Sequence, residues 1–187
     1  MNLTELFQIQ KKLDERIIRE HGLEGQDLLD KKILSLQVEL GELAQNWRGF
    51  KFWSKDQEPR TKAERPVFDE SIGEHVFVKV NPLLEEFVDC LHFILSIGAE
   101  LKSEHARWFK EDKPFDFNYS NITIQFNRLF DAVVRVSDSD NFECEEYEEL
   151  FYTFIALGKQ LGFTWDQIET AYLNKNKINH ARQDNSY

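Results

Sequence analysis

Residues 81–101 read NPLLEEFVDCLHFILSIGAEL. Asn81 suits a helix N-cap, because its side-chain oxygen can accept from a free backbone N–H, and Pro82 fits the first helical position, where no N–H is needed. A helix is therefore predicted from this point. Leu83, Leu84, Phe87, Val88, Leu91, Phe93, Ile94, Leu95 and Ile97 make it apolar almost all round, which marks a central, buried element. Two acids, Glu86 and Asp89, stand three apart inside it. A carboxylate in that company is costly unless it is paired or bound to a cation.

Working outward, the same period recurs. Leu29, Ile33, Leu36, Leu40, Leu43 and Trp47 form one stripe, with Asp27 or Asp30 as its cap, and Leu3, Leu6, Ile9, Leu13 and Ile17 form another that ends near Gly22. NITIQFNRLFDAVVRV (121–136) and YEELFYTFIALGKQLG (147–162) read as a further helix pair, with Gly162 placed to end the second. Thr164 and Gln167 fit a capping box opening a last helix through Tyr172, ahead of a polar tail. From Lys55 to about Lys79, Pro59, Pro66, Gly73 and scattered charge break every period, so this stretch is expected to be a loop or mobile insertion. No strand or hairpin pattern stands out. The expected architecture is all-α, a helical bundle in a single domain over 1–187.

The 187 residues are 41% hydrophobic with 16 Phe and 4 Trp, enough for a real core. A formal charge of −11 argues against broad contact with nucleic acid or anionic membranes, both of which need a basic surface. Cys90 and Cys144 lack the partners of a zinc site or disulfide framework, which points to a reducing cytoplasm. No basic-then-apolar leader opens the sequence, and no apolar run is long enough to span a bilayer.

The stripe at 36–47, LQVELGELAQNW, repeats the acid spacing of the central helix. Glu39 and Glu42 are three apart, about 60° from one another around the axis, and border Leu36, Leu40 and Leu43. Each pair alone also suits a solvated helix edge. Two pairs on two core-facing helices instead describe a clamp for Mg²⁺, a hard cation that takes oxygen ligands and keeps some waters for a phosphate substrate. His92 follows Asp89 by three residues, as a satisfied core histidine or as a group near substrate. NWRGFKFW (46–53) sets Trp47, Phe50, Phe52 and Trp53 beside Arg48 and Lys51, either as aromatic anchors of a helix end or as a base platform with cations for phosphate. YLNKNKINHARQ (172–183) gathers Lys175, Asn176, Lys177, Asn179, Arg182 and Gln183, a set that suits a triphosphate or the negative end of a helix dipole.

Together, the two acid pairs, the early LFQIQKKLDERI (6–17), RGFKFWS (48–54) and YLNKNKINHARQ resemble the dimeric dUTPases of the all-α NTP pyrophosphatase superfamily. The likeness runs from about residue 6 to residue 183 and is weakest over 55–79 and 102–145. It implies Mg²⁺-dependent hydrolysis of dUTP, and of dUDP, at the α-phosphorus to give dUMP. Glu39, Glu42, Glu86 and Asp89 would hold the metal, and Glu39 would position or deprotonate the attacking water. Gln10 and Asp14 would read the uracil edge, Trp47 or Trp53 would line the base pocket, and Lys175, Asn179, Arg182 and Gln183 would grip phosphates or sugar. A homodimer is implied too. The acid preceding the ExxE in many members is Val38 here. A pyrophosphatase for dCTP or a non-canonical nucleotide shares the metal chemistry, and a non-enzymatic helical interaction module shares the fold.

Overall fold

The structure, a computed structural model, describes residues 3–69, 71–101, 117–138 and 144–184. Among them run helices α1 (Leu3–Glu20), α2 (Leu29–Trp47), α3 (Pro82–Glu100), α4 (Ile122–Asp138), α5 (Cys144–Gln160) and α6 (Trp165–Asp184), and two strands, β1 (Ala63–Asp69) and β2 (Glu74–Val80). The mostly helical architecture agrees with the all-α expectation.

Local chemistry sets the ends. Asn81 accepts from Leu84 N at 3.2 Å and caps α3, while Asp27 accepts from Leu29 N at 3.0 Å ahead of α2. Thr164 and Gln167 form the reciprocal capping box of α6, at 2.9 and 3.3 Å. Gly162, at φ 85°, follows α5 in the left-handed region that a side chain resists.

α3 is the hub. It packs on α1, α2, α5 and α6, and α4 pairs with α5. Phe87, Leu91, Ile94, Leu95 and Ile97 are fully buried, as are Leu36, Leu40 and Leu43 of α2. Phe87 stacks on Phe154 with ring centroids 4.2 Å apart. Tyr147 of α5 lies against Gly98 and donates its hydroxyl to Ile94 O at 2.8 Å. A Cβ built on Gly98 would stand 2.1 Å from that hydroxyl oxygen, so glycine here permits the α3–α5 approach. None of the described helices is long and apolar enough to cross a membrane.

Two elements differ from the sequence expectation. β1 and β2 pair as an antiparallel hairpin, with Ala63 opposite Val80 and Asp69 opposite Glu74, where a loop or mobile insertion was expected. The strand signal is weak because most of the hairpin is exposed, Phe77 at 71%, so burial imposes no alternation on it. Residues ahead of it are irregular but tethered: Arg48 donates to Asp56 O at 2.8 Å, and Arg60 N donates to Asn46 O at 2.8 Å. The second difference is α6, which continues through the polar tail to Asp184. Polar contacts hold it there: Arg16 of α1 bonds His180 O at 3.0 Å and Asp184 at 2.5 Å. Tyr187 lies outside the described residues.

Candidate active site

The packing of α2 on α3 turns Glu39 and Glu42 toward Glu86 and Asp89. Carboxylate oxygens of Glu39, Glu42 and Glu86 lie within 4.8 Å of one another. Asp89 stands beside them with its Oδ2 bonded to Lys175 Nζ of α6 at 2.5 Å. Asn46, one turn beyond Glu42, donates to Glu86 Oε1 at 3.4 Å.

This crowding shows in the protonation of the group. Burial, then the charges of Asp89, Glu42 and Glu39, push Glu86 up to about 7. Glu39 is raised for the same reasons, with burial first. Asp89 is raised by burial, against the pull of Lys175 and Arg182. Three clustered carboxylates, all offering oxygen, form a donor set that fits a hard divalent ion.

These residues wall a cleft of about 390 Å³. Of the sequence-predicted positions, it collects the four acids, Gln10 and Asp14 of α1, His92 of α3, and Lys175, Asn179 and Arg182 of α6. Acids of α2 and α3 thus share the cleft with the cations of α6 and the polar side chains of α1, and Lys175 meets Asp89 directly. Gln10 accepts from His92 Nδ1 at 2.7 Å and donates to Asp14 Oδ1 at 2.8 Å. Asp14 also accepts from Ser96 Oγ at 2.6 Å, and burial, the largest influence on it, raises its pKa. His92 is buried, which holds it down at about 3 and keeps the imidazole neutral.

The other predicted positions lie apart from the cleft. Arg48, in the left-handed region at φ 65°, ends α2 and turns the following aromatics away. Trp47 packs on Phe126 of α4, centroids 5.3 Å apart, and lines a separate open hollow at the start of that helix. Trp53 is 66% exposed, and Lys51 lies over the Phe50 ring. Gln183 bonds His21 at 3.0 Å, beyond the cleft's end. Sequence reasoning missed Asn46, Ser96, Lys32 and Tyr172. Ser96 carried a usable signal, since Glu86, Asp89, His92 and Ser96 advance in steps of three and four along one face of α3.

An all-α frame that sets a carboxylate cluster against cations in one cleft defines a helical enzyme for phosphate esters. The family model described as dUTPase matches residues 2–69 and 76–187, nearly the whole chain, and its break falls at the turn of the hairpin. The chain belongs to this family, the all-α dimeric dUTPases, and is thereby a dUTP diphosphatase. No curated protein is similar enough to the chain to count as a match.

Proposed function

We propose that the chain hydrolyses dUTP, and dUDP as well, by attack of water at the α-phosphorus, with Mg²⁺ bound by Glu39, Glu42, Glu86 and Asp89. The observation that carries this reading is the convergence of Glu39, Glu42 and Glu86 within 4.8 Å, in one cleft with Asp89 and its partner Lys175. Bound there, Mg²⁺ supplies Lewis-acid stabilisation of charge on the phosphate oxygens. Glu39, on the cleft wall, orients the water and takes its proton. Lys175, Asn179 and Arg182 of α6 meet the phosphate oxygens, where charge grows as the bond breaks. Gln10 and Asp14 close the end at which the base would sit. The role of Trp47 or Trp53 at the base, with Lys51 or Gln183 at the phosphates, requires a contribution beyond the cleft of one chain, in keeping with a homodimer. The same reading keeps 1–187 as one unit.

Hydrolysis in ¹⁸O-labelled water with Mg²⁺ tests the reaction. Label in dUMP, with activity lost on chelation, is expected; label in pyrophosphate, or turnover indifferent to chelator, would overturn it.

A further inference from the structure

Gln10 is 3% exposed yet lines the cleft. Its carbonyl oxygen accepts twice, from His92 Nδ1 at 2.7 Å and from the Tyr172 hydroxyl at 3.0 Å. Its nitrogen donates to Asp14 Oδ1 at 2.8 Å. A primary amide offers two lone pairs and two N–H groups, so three of its four positions are filled. The fourth is an N–H.

The surroundings also decide which way the amide faces. Turning it over would set its oxygen against the Asp14 carboxylate oxygen and give up the hydrogen bond now made there. Each of those neighbours is itself fixed. Ser96 Oγ donates to Asp14 Oδ2 at 2.6 Å, and Lys32 Nζ lies 4.0 Å from the same oxygen. The His92 ring stacks on Tyr172, centroids 4.2 Å apart and planes 22° from parallel, so the two donors form one block spanning α3 and α6. Ser96 and Tyr172 are 4% and 0% exposed, too buried to be re-aimed cheaply by water.

We propose that His92, Tyr172, Asp14 and Ser96 are positioning residues that pin the Gln10 amide, so that its one uncommitted N–H meets the ligand and the cleft selects a ring carbonyl over an exocyclic amino group. This rests on the dUTP reading above and adds to it the origin of base discrimination. Uracil presents carbonyl oxygens along its edge, and the pinned N–H completes its hydrogen bonding on one of them. Cytosine would set an amino N–H against the Gln10 N–H, leaving two desolvated donors without an acceptor. A free amide would simply flip to accommodate it. Pinning removes that escape, which is how a buried hydrogen-bonding group rejects a near-isostere.

Two readouts test this. In ¹⁵N-labelled native protein, the Gln10 side-chain amide, identified by its loss in Gln10→Glu, should exchange at least tenfold more slowly than surface glutamines, and dUMP should shift it where dCMP does not. Exchange should quicken in Tyr172→Phe and in the milder Ser96→Ala. In turnover, the dUTP-to-dCTP ratio of kcat/KM should fall about tenfold in Tyr172→Phe, the value of one hydrogen bond. It should fall further in Gln10→Glu/Asp14→Asn, which exchanges donor and acceptor while keeping the pair bonded. A native preference for dUTP with an unchanged ratio in both variants, or a fast-exchanging Gln10 amide, would overturn the inference and leave the dUTPase reading standing. No native preference for dUTP would sink both.

Discussion

Glu86→Gln should stabilise the metal-free protein, and only above a defined pH. Below about 4.5 the Glu86 carboxyl is protonated in both folded and unfolded chains; between 4.5 and about 7 only the folded chain keeps the proton, so stability is lost as pH rises through that window. Above it the full cost is present. At about 1.36 kcal/mol per pH unit the shift corresponds to about 3 kcal/mol, and solvent screening of a half-buried group reduces this to about 1–2 kcal/mol. Glutamine has the same shape and keeps an acceptor for Asn46, which bonds Glu86 at 3.4 Å, so the substitution removes the charge and little else. Thermal unfolding in chelator is therefore expected to show a gain of about 2–8 °C at pH 8 and almost none at pH 5. With saturating Mg²⁺ the order should invert, since the native cluster gains from the cation and the variant loses a ligand. A gain of equal size at both pH values, or a loss at pH 8 in chelator, would refute the electrostatic reasoning.

Other perturbations separate the parts of the site and core. Glu39→Gln should lower kcat by about 10²–10⁴, the scale of a lost general base, while circular dichroism stays native. Lys175→Met leaves Asp89 without its 2.5 Å partner, so in chelator the variant should melt lower than native protein, and Mg²⁺ should restore most of the difference. Gly98→Ala places a methyl 2.1 Å from the Tyr147 hydroxyl and should cost about 1–3 kcal/mol in urea unfolding without altering the cleft's residues.

The fold was legible where burial and capping agree with local chemistry. Asn81, Thr164 with Gln167, and Gly162 mark ends that the structure places as expected, and the apolar α3 announces a centre. The hairpin was hidden because its exposed strands, including Phe68 and Phe77, owe their pairing to backbone bonds and little to a buried face. The tail of α6 was hidden for a related reason: long-range partners such as Arg16, which one helix's own sequence does not announce, hold it.

Within the site, residues fixed by helix spacing were readable and those fixed by turns were not. Glu39, Glu42, Glu86 and Asp89 follow from two i, i+3 pairs, and α6 delivers Lys175, Asn179 and Arg182 at helical steps. Trp47 ends α2 but packs on Phe126 of α4, and the left-handed Arg48 redirects the chain before Lys51 and Trp53. Tyr172 gave no signal, because an aromatic residue at helical spacing reads as core until its hydroxyl is seen on Gln10.

The most direct measurement is pyrophosphate release from dUTP, dCTP, dTTP, UTP and dATP, each with Mg²⁺ and then with chelator. Turnover of dUTP far above the rest, lost on chelation, is expected from a carboxylate cluster and the Gln10 amide in one cleft. Equal turnover of dCTP, or release from dUTP that survives chelation, would contradict it.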